Sequence, residues 1–147
     1  MKHKYLVLIF FIFFYLNSCK KNSQAPNSSV SIVGKWFVTS HKSKIYQNGI
    51  KLDSTFKTNF TTEDFIQYFS DGTGITSSTN SPSPSLSAFK YTINGSNLTQ
   101  FNSGGAGVLE TITELTADNL SIHYTLLVTD PNNGSTDNET DDYNLSK

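Results

Sequence analysis

The chain has 147 residues, a formal net charge of −1, 36% hydrophobic residues, one Cys and no Arg. One cysteine excludes a disulfide scaffold. Scattered lysines without arginine exclude the basic patch of a nucleic-acid binder, and a single apolar run excludes a polytopic membrane protein. The apolar residues are unevenly spread: residues 1–18 hold 13 of them and 6 of the aromatics. The remainder is a polar body rich in Ser, Thr and Asn, of a length that suits one domain.

The first element is the leader. Lys2, His3 and Lys4 make a positive start, and Tyr5 to Leu16 is an unbroken apolar run of 12 residues. A membrane-spanning helix needs roughly 20, so residues 1–18 read as a signal peptide with a short apolar centre. The run ends in Leu16-Asn17-Ser18-Cys19. An aliphatic residue three before a cysteine, with a small residue just before it, resembles the lipobox of bacterial lipoproteins. The resemblance implies cleavage between Ser18 and Cys19 and acylation of the Cys19 thiol, so that the membrane itself is the first partner. A buried acyl chain contributes about 0.8 kcal/mol per CH₂, and two or three chains on one cysteine hold stably where one does not. Lys20 and Lys21 add attraction to anionic headgroups, about 1 kcal/mol each. Lys20 stands where inner-membrane lipoproteins carry Asp, which implies the outer membrane and leaves its face open. Residues 19–32 are then the lipidated cysteine and a Ser/Asn-rich flexible tether, of which an 11-residue coil spans about 18 Å r.m.s..

Residues 33–147 form the body. No helical stripe is evident there; period-2 alternation recurs instead. Ile50, Leu52, Ser54 and Phe56 alternate with charged and polar residues, as do Phe89, Tyr91 and Ile93, then Leu120, Ile122, Tyr124, Leu126 and Val128, then Tyr143 and Leu145. One apolar and one wet face is the pattern of antiparallel sheet around a single core. Asn48-Gly49, Asp71-Gly72 and Asn94-Gly95 stand between these runs and favour type I′ hairpin turns. About eight strands are predicted from nine candidate segments, 34–46, 50–57, 64–70, 73–79, 88–94, 97–102, 108–115, 119–129 and 139–146, of which 73–79 has the weakest pattern. Segments 77–87, 103–107 and 130–138 read as loops. Thr61-Thr62-Glu63-Asp64 has the look of a helix cap, but Phe65 to Phe69 is β-rich, so a strand is expected. The fold class is all-β: an antiparallel meander closing into a barrel, with an open two-sheet sandwich giving the same alternation.

Gly34-Lys35-Trp36 opens the first of these strands, and Gly-x-Trp there resembles the lipocalin signature. Phe69-Ser70-Asp71-Gly72-Thr73-Gly74, Tyr91-Thr92-Ile93-Asn94-Gly95-Ser96-Asn97-Leu98, Ile112-Thr113-Glu114-Leu115-Thr116 and Leu120-Ser121-Ile122 resemble the lipocalin-like lipoproteins of Gram-negative bacteria. The resemblance implies a lipocalin-like barrel in which Gly34 admits a close approach and Trp36 plugs one end. Lipocalins proper pack an arginine across that tryptophan; without Arg, the position is open to Lys147 or to nothing.

Trp36 and the inward aromatics Phe56, Phe69, Phe89, Tyr91 and Tyr124 either line a ligand cavity or fill the barrel, since eight strands leave room for side chains or one small ligand. His41 and His123 are expected on the surface, without a carboxylate partner and not as metal ligands. Asp130, Asn132, Asp137, Glu139, Asp141 and Asp142 are expected to form a solvated acidic hairpin; Glu110 and Glu114 share one strand face. No nucleophile elbow or phosphate loop is present, so neither an enzyme nor a cofactor is expected. The expected function is binding or carrying a small apolar or amphipathic ligand at the open barrel end, oriented by the Tyr91 and Tyr124 hydroxyls. The alternative is a solid barrel that binds a protein or glycan through its loops.

Overall fold

The computed structural model describes residues 30–79, 84–129 and 136–147. The leader, Cys19 and most of the tether lie outside the described residues, as do the tip of the predicted 77–87 loop and Asp130 and Asn132 of the acidic segment. Among the described residues nine strands follow in chain order: β1 (Gly34–Gln47), β2 (Ile50–Lys57), β3 (Phe65–Tyr68), β4 (Thr73–Ser78), β5 (Ser85–Asn94), β6 (Asn97–Phe101), β7 (Gly107–Leu115), β8 (Asn119–Thr129) and β9 (Thr136–Ser146). Every pairing is antiparallel.

Closure depends on β1. One edge of this long strand pairs with β3 over Gly34–Phe37 and with β2 over His41–Gln47. Its other edge pairs with β9 from Phe37 to Tyr46, joining the ends of the sheet. The protein is therefore a closed eight-stranded barrel and not a sandwich. The eight are β1 and β3–β9; among the described residues β2 pairs with β1 alone. Strand β2 had the cleanest alternation in the sequence, yet all its residues are exposed. Its Ile50, Leu52 and Phe56 stand 69%, 55% and 67% exposed. Periodicity specifies the pleat; it does not supply a second layer to cover it.

Local chemistry sets the turns. Asn48 and Gly49 have φ of 50° and 79°, the double positive value that a type I′ turn requires. At Asp71-Gly72 and Asn94-Gly95 only the glycine is positive. The first of these is a longer turn, in which Gly72 N–H donates to the Phe69 carbonyl at 3.3 Å and Phe69 N–H to Thr73 at 2.8 Å. The 61–64 segment is a turn and not a helix start. Strands β5 and β9 begin three residues earlier than expected, shortening the adjoining loops.

The core fills one end of the barrel. Trp36, Tyr68, Leu98, Leu120 and Leu145 are almost wholly buried, and Ile32, Phe89, Ile112 and Ile122 pack with them. Each such side chain contributes about 1.5–3 kcal/mol on burial. Gly74 is required by this packing. A Cβ there would lie 2.3 Å from Phe89 Cζ and 2.7 Å from the Gln67 carbonyl, so the Phe89 ring occupies the space a side chain would take.

Two bulges decide which polar side chains enter the barrel. The β1–β9 register slips between Val38 and Ser40, and the β7–β8 register between Ile112 and Glu114. An extra residue in one strand inverts the inside–outside alternation beyond it. His41 and Ser43 therefore turn inward after Trp36 and Val38. Glu110 and Glu114, expected on one face, are split: Glu110 is buried and Glu114 is exposed.

Candidate functional site

The closed end is built around Trp36. Its indole Nε1–H donates to the Ile32 carbonyl at 2.6 Å, satisfying the one polar atom the ring buries. Lys147 Nζ lies 4.4 Å from the ring centroid, a cation–π contact over the plug. Gly34, at φ 138°, makes room for it: a Cβ would sit 3.3 Å from Lys147 Cε. The position held by arginine in lipocalins proper is thus filled by lysine.

Above this core the barrel holds a cavity of about 390 Å³. Its apolar wall includes Val38 of β1, Ile66 of β3 and Ile122 of β8, with the rings of Tyr124 and Tyr143. Its polar lining includes His41 of β1, Gln100 of β6, Glu110 of β7, Asp64 and the β4 hydroxyls of Thr76 to Ser78, and Lys57 and Phe60 line it from the β2–β3 side. Tyr124 and Tyr143 stack with centroids 6.1 Å apart, and His41 stacks on Tyr143 at 4.1 Å. The volume falls in the range of small-molecule sites, ~300–1,000 Å³.

Asp64 and Glu110 line this cavity, Asp141 is buried against His41, which also lines it, and the three carboxylates are in different states. Asp64 is buried in the 61–64 turn beside the cavity. Its oxygens accept from Thr61 N–H at 2.8 Å, Thr79 N–H at 2.6 Å and both threonine hydroxyls. Burial pushes its carboxyl up, but these donors outweigh burial and hold it down to about 2. Asp141 is 3% exposed and meets His41 Nε2 at 2.7 Å; burial raises its carboxyl despite the histidine. Glu110 is 7% exposed, and Gln100 Nε2 donates to its Oε2 at 2.8 Å. Burial pushes Glu110 up to about 7, with the Gln100 hydrogen bond opposing. The same Gln100 amide donates to Tyr68 Oη at 3.1 Å, and burial beside Glu110 keeps that phenol well above its usual range.

Of the expected site residues, Tyr124 lines the cavity, whereas Gly34, Trp36 and Phe89 belong to the closed end beneath it. Tyr91 packs there as well. Its hydroxyl donates to the Phe69 carbonyl at 2.7 Å, so it braces the Asp71-Gly72 turn instead of orienting a ligand. Phe69 is half-buried just past β3, and its neighbour Tyr68 fills the interior in its place. Phe56 is exposed on β2. Both histidines have the carboxylate partner the sequence did not reveal: His41 meets Asp141 inside, and His123 meets Asp142 at 2.7 Å on the outer face. The acidic segment is likewise split, with Asp141 inward and Asp142 outward.

Sequence reasoning missed Glu110, Gln100, His41 and Tyr143 as cavity residues. Glu110 was visible in one respect: it shares parity with Val108 and Ile112, an acidic residue in an apolar row. Asp141 shares parity with Tyr143 and Leu145 in the same way.

A closed antiparallel barrel, plugged at one end and hollow at the other, defines the class of small-ligand-binding barrels. A family model for the lipocalin-like domain matches residues 32–122, and the chain belongs to that family. Small-ligand binding is the general activity such a domain supports, and the family is typically one of binding and carrier domains, not catalysts. No curated protein and no solved structure matches the chain.

Proposed function

We propose that this protein is a lipid-anchored binding or carrier module of the outer membrane that holds a small amphipathic ligand in its barrel. The observation that carries the reading is the cavity of about 390 Å³ whose wall combines tyrosine and aliphatic surface with a few converging polar groups. A solid barrel working only through its loops has less support, because the side chains of the described residues leave the space above Trp36 unfilled. Cys19 supplies the anchor, and residues 19–32 supply the tether.

Ligand-observed NMR on the full-length protein in lipid nanodiscs, against a panel of small amphiphiles, tests the carrier reading. At least one class is expected to bind, and Thr76→Trp, which fills the cavity from β4, is expected to abolish that binding. Silence across the panel, or binding that ignores Thr76→Trp, argues for the solid barrel. For the anchor, intact mass is the readout. The mature chain is expected to begin at Cys19 and carry acyl mass, whereas Cys19→Ser keeps residues 1–18. Identical processing of the two chains contradicts the lipobox.

A further inference from the structure

The cavity's charges are arranged unequally. Asp64 is saturated by threonine donors, and Asp141 is engaged by His41. Lys57 is exposed. Glu110 differs from all three. It is buried and lines the cavity, and among the described residues only Gln100 donates to it, at Oε2. A carboxylate offers about four acceptor sites. Its Oε1 is thus an acceptor without a donor, next to the hydrophobic surface of Ile122, Tyr124 and Tyr143. That oxygen is not sealed off, so it is open to water or to a ligand that supplies the donor.

We propose that Glu110 selects the ligand: the cavity takes a small cationic amphiphile, a primary amine whose ammonium meets Glu110 while its apolar or aromatic body lies against Ile122, Tyr124 and Tyr143. This rests on the small-ligand reading above and names its substrate class. An ammonium supplies three donors and no acceptor, matching the empty Oε1. The tyrosine rings favour a cation and its hydrocarbon over a bare alcohol. A carboxylate placed there meets like charge.

The pairing carries a pH signature. The titratable groups close to Glu110 are Tyr68 from β3, Tyr124 from β8 and Tyr143 from β9, with Gln100 uncharged on β6; His41 of β1, Lys57 of β2 and Asp64 of the 61–64 turn line the same cavity. An aliphatic ammonium stays charged throughout the neutral range. Glu110 does not: it gains a proton as pH falls through about 7. Amine affinity therefore falls with acidification, by roughly tenfold or more between pH 8 and pH 5.5. Glu110→Gln checks that Glu110 is the source, because the profile then goes flat.

Three probes of one shape decide the matter: 2-phenylethylamine, 2-phenylethanol and 3-phenylpropanoate, titrated by ligand-observed NMR into the full-length protein in nanodiscs, with empty nanodiscs subtracted. The amine is expected to bind the wild type at least tenfold more tightly than the alcohol or the acid. In Glu110→Gln that preference disappears while alcohol binding persists, which shows the variant folded. Equal or better binding of the alcohol or the acid, or an amine preference that survives Glu110→Gln, overturns the assignment and leaves the small-ligand reading standing. Binding of none of the three overturns the assignment, and the wider amphiphile panel then decides the small-ligand reading. Should Glu110→Gln fail to fold, the wild-type pH profile decides: a flat amine response between pH 8 and pH 5.5 refutes the pairing.

Discussion

Trp36→Ala is expected to destabilise the barrel by about 3–5 kcal/mol, the range for emptying a buried tryptophan site. The side chain is fully buried, with Tyr68, Leu98, Leu120 and Leu145 also in the closed end, so a cavity left there is walled by neighbours with no room to collapse. Two further contacts go with the ring: the 2.6 Å hydrogen bond to Ile32, which orders the entry to β1, and the cation–π contact with Lys147. Trp36→Phe keeps most of the volume and loses the indole donor, so about 1–2 kcal/mol is expected. Urea unfolding monitored by far-ultraviolet circular dichroism measures both. A loss below about 1 kcal/mol for the alanine variant refutes the plug.

The second large effect belongs to Asp64. Removing its carboxylate by Asp64→Ala strands the backbone N–H groups of Thr61 and Thr79 and both threonine hydroxyls. A fully buried donor left without a partner costs ~1–3 kcal/mol; Thr61 is exposed and Thr79 half-buried, so water relieves much of this and a loss of about 2–3 kcal/mol is expected. Asp64→Asn retains one oxygen and is expected to lose about half of that. The acid limb distinguishes this from simple packing. The folded Asp64 carboxyl is lowered from 3.8 to about 2, so its contribution is complete above about pH 4 and fades as pH falls through 2. The stability difference between wild type and Asp64→Asn should narrow in that window. A difference that stays constant from pH 5 to pH 2 sinks this account of the turn.

The all-β fold and the closed end were legible because period-2 alternation and Asn-Gly or Asp-Gly turns report directly on pleat and hairpin. Trp36, Phe89, Leu120, Ile122 and Leu145 all face where the alternation put them. The cavity was not legible, and the bulges are the reason. One inserted residue near Thr39 carries His41 and Ser43 inside, and another near Thr113 separates Glu110 from Glu114; neither residue announces a bulge. The exposure of Phe56 was hidden for a different reason. Which strand lacks a covering layer is a property of closure, and β1 chooses its partners through contacts about 100 residues away. Asp64 shows a third limit. Thr61-Thr62-Glu63-Asp64 suggested a cap, and the carboxylate does cap backbone donors, but those of a turn and of Thr79 at the end of β4.

The pairing of β1 with β9 also fixes an order of events. Strands β3 to β8 can zip locally, each hairpin to the next, but β1 must wait for β9 before its second edge is satisfied. Such sequence-distant closure is slow. Until it happens, β1 and β8 each present a bare ladder of amides, a template for pairing with other chains. A polypeptide interrupted before β9 is therefore not a smaller barrel but a sticky sheet. The last strand to arrive decides whether the molecule is a container or an aggregate.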